Sequence, residues 1–192
     1  MSILVLRSPE QSSKAKEAFK DVPWALEMFD DPTLSSFANE SRTVKPEGNA
    51  DTFVGKTLAT EDTIKAWQSF KKLPDSTYKH GQFLSLLSIG SGVNGHINTS
   101  HGGFVSLMLD EALGLAAENS RPLDKITMTA YLKVDYKKPV TTPSIVLCRA
   151  WVEKTEGKKL FLRGTVENGE EVLSIAEGLF IVMPRKILRG NL

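Results

Sequence analysis

His101-Gly102-Gly103 and, nine positions after the histidine, Asp110 are the residues whose types and spacing could do chemistry in this chain. The two glycines open a long apolar run that reads as a helix over residues 103 to 118. Glycines at a helix start let a ligand approach the backbone closely. The free amides there, at the positive end of the helix, suit a developing negative oxygen, which is the physics of an oxyanion hole. Asp110 and Glu111 are the only charges in the run before Glu118. A carboxylate in such a helix costs on the order of 1–3 kcal/mol even when partly compensated. At least one of the two therefore has a purpose: acid–base work, contact with solvent at the helix edge, or pairing with a base.

Distance constrains how these residues could cooperate. At about 1.5 Å rise per residue, Gly103 and Asp110 stand roughly 10 Å apart along the helix, and His101 is farther. General-base chemistry needs contacts of about 3 Å or one bridging water. Within one chain the two cannot meet around one reacting carbonyl. A two-fold dimer with antiparallel helices would join Gly103 of one chain to Asp110 of the other, giving two equivalent sites.

Other motifs fail on context. Gly90, Gly92 and Gly95 spell G-x-G-x-x-G, but "HINTS" delays the helix and the acid 20 residues on, Asp110, falls inside it, so a glycine-rich turn is expected. Gly55-Lys56-Thr57 lacks the glycine that a phosphate loop requires five positions earlier. His96 and His101 have no third ligand, so no metal is expected, and no cofactor is implied. The serine elbow G-x-S-x-G is missing. The lone cysteine, Cys148, sits in a strand-like segment and reads as a buried, inert thiol.

Composition excludes further classes. With 24 Lys+Arg against 23 Asp+Glu, no bulk charge argues for nucleic acid or a membrane surface. No apolar run approaches the ~20 residues of a membrane span. "MSILVL" is too short for a signal core, and the acids at Glu10, Glu17 and Asp21 argue against a clean mitochondrial presequence. An intracellular location is expected, cytoplasm or mitochondrion.

At 192 residues the chain suits one domain with an extension. Residues 1–75 are polar and punctuated by Pro9, Pro23, Pro32, Pro46 and Pro74, and read as a helical and irregular N-terminal extension; residues 76–192 read as the main domain. The clearest helix expected in the extension is "TEDTIKAWQSFKK" (60–72), capped by Thr60, with Ile64, Trp67 and Phe70 on one face. "GQFLSLLSI" reads as a buried strand. Four more follow the apolar helix. In the first, Ile126, Met128, Ala130, Leu132 and Val134 alternate with Thr127, Thr129, Tyr131, Lys133 and Asp135, which predicts a half-buried strand. Asn168-Gly169 and Glu156-Gly157 mark hairpins, and short connections predict an antiparallel meander of all four strands. The order predicts an α+β fold in which a curved antiparallel sheet wraps a long central apolar helix.

These residues resemble the hotdog-fold acyl-CoA thioesterases, in the branch marked by His-Gly-Gly followed by an aspartate within the central helix. The similarity runs from about residue 81 to 183 and includes "MTAYLKVDYKKPV", "EGKKLFLRGTVENGE" and "AEGLFIVM". The human mitochondrial long-chain acyl-CoA thioesterase subfamily is the most similar, and the N-terminal extension is similar to that of fungal members. The resemblance implies hydrolysis of an acyl-CoA to free acid and coenzyme A, by a homodimer or dimer of dimers with a shared active site. Gly103 would bind the thioester oxygen, Asp110 of the partner chain would activate water or attack directly, His101 and Gly102 would help place the thioester, and Thr129 would orient the aspartate. By its strand position alone, Thr129 reads equally as solvent-facing. Asn98 stands where the family often has glycine; asparagine tolerates positive φ. Lys137, Lys138, Lys158, Lys159 and Arg163 lie at strand ends where the nucleotide of coenzyme A could rest, or are ordinary solvated side chains. Two other readings remain: a hotdog enzyme acting on a polyketide or another secondary metabolite, and a non-catalytic acyl-binding protein.

Overall fold

A computed structural model of the chain describes residues 15–44 and 50–185. "MSILVL", Glu10, Pro9 and Pro46 lie outside the described residues. Among the described residues the fold is carried by α1 (Pro23–Asp30), β1 (Leu34–Phe37), β2 (Ile64–Lys72), β3 (Gln82–Ile89), β4 (Asn94–His96), β5 (Thr99–Ser100), α2 (Gly102–Glu118), β6 (Lys125–Tyr136), β7 (Ser144–Glu156), β8 (Lys159–Glu167) and β9 (Val172–Pro184). Seven strands form one sheet in the order β1-β2-β3-β7-β8-β9-β6, and all its pairs are antiparallel.

The concave face of this sheet holds α2. Phe104, Val105, Met108, Leu109, Ala112, Leu113, Ala116 and Ala117 are buried in one cluster with side chains of β2, β3, β7, β8 and β9. Glycine at two sheet positions eases the close approach of the helix. A Cβ on Gly178 would lie 2.9 Å from Leu113 Cδ1, and one on Gly164 would lie 3.2 Å from Leu113 Cδ2. On the other face, Phe19, Ala25, Phe70, Leu84, Leu86 and Leu147 make a second core beneath α1. Apolar burial on both faces, at roughly 25 cal/mol per Å2, is what closes the fold.

Three expectations are corrected. Residues 60–72 are not a helix: 60–63 form a turn and 64–72 are strand β2, paired with both β1 and β3. The helical-looking spacing of Ile64 and Trp67 comes from a register shift between Ile64 and Ala66, which puts both on the concave face, while Phe70 serves the opposite core. A β-bulge adds one residue to a period of two and so mimics a period of three. Part of the segment expected as an extension is thereby built into the sheet.

The four last strands are not a simple meander. β7, β8 and β9 are consecutive neighbours, but β6 pairs with β9 at the sheet edge. Gly157 and Gly169 take the positive φ values of 57° and 93° that tight hairpins need, whereas β6 and β7 are separated by residues 137 to 143, with no such turn.

Strict alternation along β6 also fails. Thr127 and Thr129 turn toward α2, while Met128 is 46% exposed. A register shift between Thr129 and Tyr131 resets the parity, so that Leu132 and Val134 pack on the core.

Candidate active site

The G-x-G-x-x-G stretch is a turn. The Gly90 amide donates to Thr63 O (2.7 Å) and the Gly92 amide to Asp62 O (2.7 Å), so neither points at open space for a phosphate. Residues 91 to 93 form a short 3-10 turn, and β4 and β5 carry the chain to His101. Asn98 takes φ 53°, as its type allows. The P-loop-like residues 53–57 form a π-helical turn in which the Gly55 amide donates to Asp51 O.

His101 is the N-cap of α2. Its Nδ1 accepts the Gly103 amide at 2.9 Å, so this amide, expected to be free, is already capped. A neutral imidazole with its proton on Nε2 acts here as a side-chain oxygen does in an ordinary N-cap. Tyr136, which carried no motif in the sequence, lies against the same turn. Its hydroxyl donates to Gly102 O at 3.0 Å and lies 2.6 Å from Ser106 Oγ, fastening the end of β6 to the helix start.

Seven residues along the helix, Asp110 receives a 2.9 Å hydrogen bond from Thr129 Oγ1. The two residues lie together on the wall of a cavity of about 770 Å3, with Phe180, Gly114 and Leu115 beside them. Glu111 lines the same cavity, 2.7 Å from Ser41 Oγ. Burial, helped by the charge of Asp110, holds the Glu111 carboxyl above its ordinary range despite the contact with Ser41. Ser41 reaches the helix because Arg42, half-buried, donates to the carbonyls of Val54, Leu58 and Ile64 and pins its segment down. No signal in the sequence pointed to Ser41, since a lone serine in an irregular segment has no pattern.

Glu118 ends the helix against β6. Burial would raise its carboxyl, but hydrogen bonds from Arg121 and Thr127 outweigh that and hold it below the ordinary value. Cys148 is fully buried, which pushes its thiol far up and leaves it unreactive. Among the described residues, no group of three or more His, Cys, Asp or Glu could hold a metal ion.

The lysines do not cluster within one chain. Lys137 follows the end of β6 near Tyr136 and Gly102, paired with Asp135, while Lys138 pairs with Glu171. Lys158 and Lys159 are exposed at the other end, where Lys159 aligns with Ile181 and, across β9, with Met128. Eight residues of strand separate the two ends, or ~26 Å at about 3.3 Å per residue. Arg163 is engaged by Glu153 and Glu177.

Comparison with known proteins agrees with this architecture. Residues 97–175 match the model of the Thioesterase superfamily. Residues 97–175 are thus similar to that superfamily, and the chain has the hotdog fold. A thioesterase family protein from Silicibacter pomeroyi has the same fold, with a TM-score of 0.56 at 20% identity over 68% of this chain and 89% of its own. Among curated relatives, the acyl-coenzyme A thioesterase THEM4 of Mus musculus is 32% identical over 108 residues, covering 55% of this chain and 45% of the mouse protein. That of Bos taurus is 39% identical over 83 residues, covering 42% of this chain and 32% of its own. The matched region thus spans less than half of the length of these two relatives.

Proposed function

We propose that the chain hydrolyses acyl-coenzyme A thioesters to a free acid and coenzyme A, at a site shared by two copies of itself. The observation that carries this reading is the 2.9 Å hydrogen bond from Thr129 to Asp110, on a helix that opens with His101-Gly102-Gly103. The relatives named acyl-coenzyme A thioesterase support the choice of substrate.

In this reading Asp110, oriented by Thr129, takes a proton from a water whose oxygen attacks the thioester carbon. The carbonyl electron pair moves onto oxygen, which the Gly103 amide of the other copy receives. Collapse breaks the carbon–sulfur bond, and the departing thiolate regains the proton from Asp110. The Gly103 amide first has to be released by His101, so the imidazole turns aside as the thioester arrives and then helps hold it.

Two features support pairing of two copies. Gly103, Ser106, Asp110 and Gly114 form a stripe on α2 that the described chain leaves at least partly exposed. Beside it, β6 is the edge strand of the sheet among the described residues, with Met128, Tyr131 and Tyr136 exposed. Unpaired edges and apolar patches of this kind are ordinarily covered. A two-fold that joins Gly103 to Asp110 also carries Lys137 of one copy toward Lys158 and Lys159 of the other, because each lysine sits at the end of the site residue it accompanies. Those lysines would then face the phosphates of coenzyme A.

The test is thiol release from a panel of acyl-CoAs. Steady-state release by the wild type and its loss in Asp110→Asn are expected. Substrate consumed without released thiol would point to another hotdog reaction, and ligand retained without turnover to a binding protein; either result overturns the reading.

A further inference from the structure

The cavity beside Asp110 is unlike a plain alkyl tunnel. Phe37, Leu115, Leu123 and Phe180 are its large apolar walls, while Asn39, Ser41 and Glu111 bring polar atoms into it. Part of its lining is supplied by the segment from Phe37 to Ser41, which lies far before the helix in the sequence.

Counting protons at that wall defines what Glu111 offers. Asn39 Oδ1 accepts the Ser41 backbone N–H at 3.2 Å, which identifies it as the oxygen. Ser41 Oγ lies 3.0 Å from this oxygen and 2.7 Å from Glu111 Oε2. A hydroxyl has one proton and can serve only one of two acceptors. Whichever acceptor takes that proton, Ser41 engages the Glu111 carboxyl through Oε2 alone. Glu111 Oε1 is left as an acceptor with no hydrogen-bond partner among the described residues, on a side chain that lines the cavity.

We propose that Glu111, held by Ser41, is a specificity-determining residue of the acyl pocket and selects acyl thioesters bearing a hydrogen-bond donor, such as a hydroxyl, over unsubstituted alkyl thioesters of equal length. This rests on the thioester-hydrolase reading. A donor on the acyl chain satisfies Oε1, whereas a bare alkyl chain strips water from it and returns no hydrogen bond. A site built to bond a hydroxyl discriminates strongly against the analogue that lacks one.

The experiment compares hydroxyacyl-CoAs with unsubstituted acyl-CoAs of the same lengths, in the wild type, Glu111→Gln and Glu111→Leu. The wild type is expected to prefer the hydroxylated member by about tenfold or more in kcat/KM. Glu111→Gln, which keeps an acceptor for substrate and a donor for Ser41, retains the preference; Glu111→Leu loses it and gains on the alkyl member. Equal turnover of both members by the wild type, or an equal fall on both in Glu111→Leu, overturns the proposal. If the wild type releases thiol from neither, the hydrolase reading fails instead. The same pairs are then compared by binding calorimetry, where the same tenfold preference and its loss in Glu111→Leu are expected, and equal binding overturns the proposal.

Discussion

Gly103 donates its backbone amide to His101 Nδ1 at 2.9 Å, so the side chain that precedes the central helix occupies the amide that the proposed chemistry needs. His101 therefore has two duties that can be separated. His101→Ala removes the cap and is expected to cost about 1 kcal/mol, or roughly 2–4 °C in Tm for a chain of this size. His101→Asn restores a capping oxygen and most of that stability. If the imidazole also places the thioester, both variants stay low in kcat/KM, and full activity in His101→Asn would show the cap to be its whole role.

Asp110→Asn keeps an oxygen that can accept from Thr129, so it tests chemistry rather than folding. Turnover is expected to fall by ~100-fold or more, with little change in Tm. Thr129→Val removes the orienting hydroxyl and is expected to lower kcat by about tenfold, with KM little changed. Unchanged steady-state rates in a folded Asp110→Asn protein would remove the aspartate from the mechanism.

The shared site makes a prediction no single-chain site makes. Gly103→Pro deletes the amide proton in the first turn, where proline is tolerated, and Asp110→Asn deletes the base; each alone is expected to be inactive. Unfolded together and refolded, half of the dimers pair one of each, and each such dimer has one intact site of two. About a quarter of wild-type activity should therefore return. No recovery from a mixture shown to contain mixed dimers would place both groups in one chain.

Two glutamates of α2 give opposite pH dependences. Glu111 has its carboxyl raised, chiefly by burial, so its contribution to stability is full below the ordinary carboxylate value of 4.5 and is lost as pH rises above it. Glu118 has its carboxyl lowered, because hydrogen bonds from Arg121 and Thr127 outweigh burial, so its contribution is present above 4.5 and lost as pH falls below it. Urea unfolding is expected to show Glu111→Gln gaining stability relative to wild type as pH rises above 4.5. Glu118→Gln should lose more at pH 7 than at pH 3. Parallel pH curves for wild type and either variant would contradict that assignment.

Much of the architecture was legible in residue types. The apolar residues of α2 announced a helix wrapped by protein, and Asn168-Gly169 and Glu156-Gly157 announced two hairpins that formed where expected. The glycine fingerprint at 90 to 95 was legible as a turn because the elements around it were wrong for a nucleotide. What misled was parity. Ile64 and Trp67 share a face through a bulge, and Thr127 and Thr129 reach the helix because another bulge follows them. A bulge adds a residue without any signature of its own, so spacing alone reads it as a helix or as the wrong face of a strand.

By itself, then, the sequence determined the elements with strong local causes: an uninterrupted apolar helix behind two glycines, strands with turn residues between them, and an aspartate too far from those glycines to share a site with them in one chain. Only the tertiary structure decided that β6 lies beside β9, that Thr129 meets Asp110, that Tyr136 fastens the helix start, and that Ser41 arrives beside Glu111 from 70 residues away. Those contacts join residues distant in sequence, and what selects them is burial summed over two cores, which no short stretch of chain can express.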